Sequence, residues 1–241
     1  MDAETQHTTQ TTPADAARCV LRVDSVRFRY GAIGPWVLDI NELVLHSREQ
    51  VLLTGPSGCG KSTLLQLIAG LMEPSEGRIE VAGQDVHGLG SGARDAFRGR
   101  TIGMVFQTLN LLPGFTAIEN VLLAMMFSAK PKREHGERAA DLLGSLGLER
   151  VNAPVDSMSL GQQQRVAVAR ALACEPALVL ADEPTASLDP DNARNAIELL
   201  QRACEDHNAA LLCVSHDPAL LSCFDRIESY TSLHASGEAH P

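Results

Sequence analysis

No apolar run in the sequence is long enough to cross a bilayer. A spanning helix needs roughly 18–20 consecutive apolar residues. The longest candidates, around Val121–Phe127 and Ala209–Val214, fall well short. Any membrane role must therefore come through other chains. The cysteines, Cys19, Cys59, Cys174, Cys204, Cys213 and Cys223, form no CxxC pair and no metal spacing. That argues against a disulfide frame or a zinc site, and for thiols in a reducing compartment. There is no basic excess either. The net charge of -10 argues against a nucleic-acid partner, which usually meets a basic patch. It leaves nucleotide binding open, because local geometry holds nucleotide phosphates. No internal repeat is present, so any functional unit occurs once. Residues 1–17 lack the basic and apolar regions of a signal peptide and read as a polar, disordered tail.

What is present suits one α/β domain. The chain has 241 residues, 44% hydrophobic and 21% charged, enough for a sizeable core. Val20–Tyr30 alternates as a half-buried strand does, and Val37–His46 reads as a second strand. Val51–Thr54 is a short apolar run that stops at a glycine-rich segment, and Thr63–Ala69 then predicts a buried helix. Gly77–Val86 reads as a hairpin turning at Ala82-Gly83. Ile102–Phe106 is a strand, followed by helical patterns over Thr116–Phe127 and Arg133–Leu146. A helix over Leu160–Ala173, a strand over Ala177–Ala181, a helix over Asp191–Glu205 and a strand over Ala210–Val214 complete the pattern. Apolar strands alternating with helices imply a parallel sheet covered on both faces.

Three groups of residues carry chemistry. Gly55-Pro56-Ser57-Gly58-Cys59-Gly60-Lys61-Ser62 lies between a strand and a helix, with Thr63 next. Glycines let successive N–H groups turn inward at phosphate oxygens, and the helix N-terminus adds partial positive charge. Lys61 would bridge the β- and γ-phosphates, and Ser62 would offer a hydroxyl to Mg²⁺. The strand ending in Asp182-Glu183 delivers two carboxylates at a C-terminal strand end, where α/β sheets place ligands. Asp182 would hold the metal shell, and Glu183 would polarise the attacking water as general base. Together these predict only a P-loop NTPase that uses Mg²⁺; that the nucleotide is ATP is implied by the family resemblance of the residues that follow.

Met158-Ser159-Leu160-Gly161-Gln162, continuing through Gln163 to Leu172, resembles the signature and helix of the ABC ATPase family. The resemblance covers nearly all of residues 18–229. It implies an ABC ATPase core with a mainly parallel sheet, an N-terminal antiparallel β subdomain and an inserted helical subdomain at about 107–157. The domain is expected over 18–230, with a flexible tail over 231–241. In the family the signature clamps the γ-phosphate of the opposite subunit, which assigns Ser159, Gly161 and Gln162 to a dimer interface. Leu160 departs from the family glycine. The resemblance also assigns Gln107 to Mg²⁺ and the attacking water, Ser187-Leu188-Asp189 to the loop along the dimer interface and His216 to the γ-phosphate switch. Tyr30 would be the aromatic on which adenine stacks, though Phe28 and Tyr30 equally fit sheet packing.

The segment Thr108–Val121 resembles the lipoprotein-release and macrolide-export branch (LolD/MacB type). The expected partners are a second ATPase subunit, as a homodimer, and integral membrane transporter subunits. The expected place is the cytoplasmic face of the inner membrane, as a peripheral protein. A solute-importer subunit and a slow, recruiting ABC ATPase remain alternatives, the latter because of Leu160.

Overall fold

The computed structural model of the chain describes residues 18–186 and 188–233. The expected N-terminal tail, Ser187 and residues 234–241 lie outside the described residues.

Two sheets form the frame. The strands β1 (Cys19–Phe28), β2 (Leu38–His46) and β3 (Gln50–Thr54) precede helix α1 (Lys61–Ile68). Strands β4 (Glu76–Val81) and β5 (Gln84–Asp85) follow, then helix α2 (Ser91–Thr101) and strand β6 (Ile102–Val105). The inserted helices are α3 (Ala117–Ala124) and α4 (Lys132–Ser145). After them come α5 (Leu160–Leu172), β7 (Leu178–Asp182), α6 (Pro190–Asp206), β8 (Ala210–Ser215) and β9 (Arg226–Ser229). The first sheet has the order β2-β1-β4-β5 and is antiparallel. The second has the order β6-β7-β8-β3-β9 and is parallel throughout.

The parallel strands are apolar along their length because both their faces are covered. Side chains alternate between faces along a strand, and the core divides accordingly. Leu52, Val179, Ala181, Leu211 and Cys213 pack with α5, α6 and the inserted helices. Val51, Leu53, Leu178, Leu180, Leu212 and Val214 pack on the other side with α1 and the antiparallel sheet. Each such Leu or Val, fully buried, stabilises the fold by about 1.5–3 kcal/mol.

Within the antiparallel sheet, β1 and β4 approach under tight constraint at Gly77. Its φ is 88°, and a Cβ there would lie 2.3 Å from the carbonyl oxygen of Ser25. Only glycine fits this approach of β4 to the irregularity in β1 between Asp24 and Arg27. The hairpin expected at Ala82-Gly83 is present, both residues having positive φ, 50° and 81°, as a two-residue turn requires.

Two elements differ from the sequence reading. Helix α2 was not expected, and it contains no buried residue. Strand β9 was also not expected; it is a short edge strand with Ile227 exposed. The C-terminal boundary also moves. Leu233 is buried in the core beside Tyr230, so packed chain continues past residue 230.

Candidate functional site

The strand order brings four strand ends to one edge. Strand β3 ends at the glycine loop and β7 at Asp182-Glu183. Between them lies β8, ending at Ser215-His216, while β6 beside β7 leads to Gln107. The C-terminal edge of a parallel sheet is where open α/β folds bind ligands.

In the glycine loop, Pro56, Ser57 and Gly58 are exposed, whereas Gly55, Cys59 and Gly60 are partly covered. Gly58 and Gly60 have φ of 80° and 105°. A Cβ on Gly60 would come within 2.9 Å of Leu38 Cδ2 and 3.0 Å of the Val37 oxygen. The loop therefore closes over the antiparallel sheet only with glycine there. Lys61 is 5% exposed. Its Nζ donates to the carbonyls of Gly55 at 2.8 Å and Pro56 at 2.9 Å, and Cys59 Sγ lies 3.9 Å away. The ammonium is thus held inside the curl of its own loop, at the start of α1.

Ser62 donates to Asp182 Oδ1 at 2.8 Å. Burial raises the Asp182 pKa above its ordinary value. The Ser62 hydrogen bond opposes this, Glu183 adds to it, and Lys61 opposes it. A hydroxyl in the first turn of α1 therefore meets the carboxylate at the end of β7, in a place that disfavours the bare charge.

Glu183 follows with φ of 46°. Left-handed backbone is uncommon for a residue with a Cβ and clusters at functional sites. Its amide donates to the Val214 oxygen at 3.0 Å. Its Oε2 accepts from Ser215 Oγ at 2.9 Å and from the His216 amide at 3.4 Å. Its Oε1 lies 2.7 Å from His216 Nδ1. A carboxylate accepts, so the imidazole proton on this contact sits on Nδ1. Ser215 is buried at the end of β8; neither it nor its hydrogen bond to Glu183 was expected from the sequence, because that contact depends on β8 lying next to β7.

Phe28 is buried, whereas Tyr30 is 60% exposed. Phe28 therefore does the sheet packing and leaves the Tyr30 ring free at the surface, edge-on to Phe28 with centroids 5.0 Å apart. The Tyr30 hydroxyl is 3.3 Å from Thr63 Oγ1, which ties the ring to the first turn of α1. Gln107 is exposed in the turn after β6. With Leu109, Leu160, Gln163, Pro184 and Leu188 it borders a depression of about 210 Å³.

The segment at Ser159 stands apart. Ser159 Oγ accepts from the Gln162 amide at 3.3 Å, and Gln162 Oε1 accepts from the Ser159 amide at 3.0 Å. This reciprocal cap satisfies two N–H groups that the start of α5 would leave open. Gly161 is exposed, with open space where a Cβ would be. Leu160 is 43% exposed, so its side chain packs outward. Asp189 caps α6, accepting from the Asn192 amide at 3.2 Å.

A phosphate-loop curl, a lysine at a helix start and paired carboxylates at the edge of a parallel sheet define the P-loop class of nucleotide-binding fold. The comparisons narrow it. A family profile described as ABC transporter matches residues 38–186. A relative named lipoprotein-releasing system ATP-binding protein LolD, from Granulibacter bethesdensis, is 42% identical over 216 residues, covering 88% of this chain and 94% of the relative. A protein of the same name from Pseudomonas syringae is 42% identical over 192 residues, 79% of this chain and 85% of that one. Among solved structures, a dimeric ATP-binding cassette in a post-hydrolysis state bound to ADP and Pi superposes with a TM-score of 0.74. It is 34% identical and covers 87% of this chain and 93% of its own. The chain belongs to the ABC transporter family. It is an ATP-binding subunit that hydrolyses ATP. Among the described residues no helix is long and apolar enough to cross a membrane.

Proposed function

We propose that the chain works as a homodimer, each nucleotide held between the glycine loop of one copy and the Ser159 helix start of the other. The observation that carries this reading is how the chemistry divides. Lys61, the Ser62–Asp182 pair and the Glu183–His216 pair gather at one strand edge, while the Ser159 and Gln162 side chains hydrogen-bond within their own cap. A capped helix start with an exposed glycine has N–H groups to offer an anion from outside. The dimeric cassette with ADP and Pi supports the pairing.

Within one site, Lys61 exchanges its two loop carbonyls for phosphate oxygens, and the amides of Gly58, Cys59, Gly60 and Ser62 line the same phosphates. Thr63 and Tyr30 lie on the base side, with the exposed Tyr30 ring free to stack on adenine. A serine hydroxyl, a carboxylate and a glutamine amide oxygen are hard oxygen donors, so Ser62, Asp182 and Gln107 fit Mg²⁺. No group of three His, Cys, Asp or Glu side chains forms a metal cage among the described residues. Magnesium characteristically takes one or two carboxylates and completes its shell with substrate phosphates. When bound, it neutralises charge on the phosphates. Glu183 accepts the proton of the attacking water, and His216 and Ser215 hold that carboxylate in place. Leu188 and Asp189 lie along the interface.

The relatives named for lipoprotein release support extraction of lipoproteins or similar envelope lipids as the work performed. The ATPase would sit peripherally at the cytoplasmic face of the inner membrane, on integral membrane subunits reached through the insertion near Gln107–Asn120. Leu160 favours a second reading, a slow recruiting ATPase, because it puts a bulky exposed side chain beside Ser159. The test is to isolate the tagged protein from gently solubilised membranes. A partner with few spans and a large extracytoplasmic domain is expected. Recovery with ribosomes or DNA and no membrane protein would overturn the transport role.

A further inference from the structure

Just past Gln107, two consecutive residues with a Cβ adopt positive φ, Leu109 at 54° and Asn110 at 48°. Side chains avoid this region, asparagine less than leucine. In extended chain successive carbonyls point to opposite sides. Two left-handed residues in a row turn both to the same side. Here both meet one guanidinium: Arg170 donates to the Leu109 oxygen at 2.6 Å and, through its other terminal nitrogen, to the Asn110 oxygen. The turn is closed further by the Leu109 amide on the Phe106 oxygen at 3.0 Å and by Thr108 Oγ1 on Asn110 Oδ1 at 2.8 Å. Leu109 is buried in it.

Arg170 stands on α5, about three helical turns after Ser159. Burial draws its pKa below the ordinary arginine value, and its fork is spent on backbone carbonyls. A partly desolvated cation holding two carbonyls is a costly way to tie down a loop that has ordinary turn residues available. Gln107, an exposed residue of this loop, borders the same depression as Leu160 and Gln163 of the α5 start.

We infer that Arg170 is a positioning residue for Gln107, fixing the loop that carries the glutamine to the helix that begins at Ser159, so that the two move as one body. The inference rests on the function proposed above. In that arrangement Ser159 serves the partner's nucleotide and Gln107 serves this chain's own. Seating of the partner's nucleotide then sets the glutamine in this site. Arginine is needed because a lysine ammonium, a single point charge, does not match two carbonyls as the planar fork does.

The test compares steady-state hydrolysis by the full chain with Arg170→Lys, Gln107→Ala and the double variant. Loss of one charge-assisted hydrogen bond predicts a fall in kcat of about ten-fold for Arg170→Lys. KM and ATP affinity should hold, because the glycine loop and Tyr30 are untouched. The double variant should be no slower than Gln107→Ala alone, since coupled positions are not additive. Full multiplication of the two effects would overturn the tie while leaving the site reading standing. Unchanged kcat in Gln107→Ala would overturn both. Should Arg170→Lys melt early, Asn110→Pro probes the same tie from the loop side, because proline holds φ near about -65° and turns the carbonyl away. It should reproduce the kcat loss with KM intact, and wild-type kcat in it would count against the inference.

Discussion

Replacing Glu183 by Gln removes one charge and almost no volume, which makes it the sharpest test of the proposed base. Glu183 accepts from Ser215 Oγ and the His216 amide through Oε2, and meets His216 Nδ1 at 2.7 Å through Oε1. A glutamine carbonyl can keep the first two contacts. Its NH2 group then faces Nδ1, which must accept, so the imidazole proton moves to Nε2. One neutral hydrogen bond replaces a charged one, at a cost of about 1 kcal/mol to the fold. A chain of this size should lose only roughly 2–4 °C in melting temperature. The chemical step loses far more. An amide cannot take the proton of water, and general-base catalysis contributes about 10²–10⁴-fold. That is about 3–5 kcal/mol on the barrier. Phosphate release at saturating ATP should fall by that factor, and ATP should still drive the variant into dimers on a sizing column. Hydrolysis within a few-fold of wild type would refute the base assignment. A collapse in melting temperature would instead mean that the carboxylate holds β7 to β8, and that lost activity is lost fold.

Lys61→Ala should weaken ATP binding in titration calorimetry by about 30-fold or more, the loss of about 2 kcal/mol that truncating a buried charged partner brings; unchanged affinity would sink the phosphate-loop reading. Asp182→Asn should abolish hydrolysis yet stabilise the nucleotide-free protein. Burial lifts the folded pKa above the unfolded value of 3.8, so the folded chain binds the extra proton. Asp182 then costs stability as pH rises through the folded pKa and costs none below that window. After solvent screening of a half-exposed carboxylate, the gain at pH 7 should be roughly 1–3 °C, shrinking toward acid pH. A lower melting temperature than wild type at pH 7 would contradict burial as the cause. Gly60→Ala puts a Cβ within 2.9 Å of Leu38 Cδ2 at φ of 105°, an overpacking cost of about 1–3 kcal/mol. Thermal melting should drop, ATP affinity should drop with it, and wild-type values of both would show that the loop has slack.

Legibility in the sequence followed burial. Strands β3, β7 and β8 were readable because both faces are covered, so their runs are apolar without a break. Helix α2 was not, because none of its residues is fully buried and Phe97, its one large apolar side chain, packs only partly covered against the core. Among the described residues strand β9 pairs only with β3, at the sheet edge, and exposes its isoleucine, so nothing in Arg226–Ser229 marks a strand. The same contrast divides the site. Lys61, Ser62, Asp182 and Glu183 sit in local motifs whose spacing states their chemistry. The pairing of Glu183 with Ser215 and His216 arises only from strand order. Arg170 meets its two carbonyls across the packing of α5 on the loop after β6. No local pattern encodes either contact. Tyr30 was ambiguous for a related reason, since period-2 alternation gives Phe28 and Tyr30 the same face, and only the end of β1 at Phe28 separates them.

The charged groups at the strand edge, and the Ser159 cap, already have partners within the chain. Lys61 rests on loop carbonyls, Ser62 on Asp182, Glu183 on His216, and Ser159 on Gln162. A site paired in this way carries no unsatisfied charge, so it need not close until a ligand offers better partners. On the proposed reading, γ-phosphate competes at several of these pairs together. It must draw Lys61 from carbonyls, His216 toward itself and the Ser159 cap open toward the other copy. The free energy of closure is then the difference between two satisfied sets of hydrogen bonds, which is small per bond and adds over the pairs. That difference vanishes when hydrolysis separates the γ-phosphate, because Ser159 and Lys61 no longer share a ligand and each can return to its internal partner. Reversible opening follows from the internal pairs, and a variant that leaves one of them unsatisfied should hold the closed dimer longer than the wild type does.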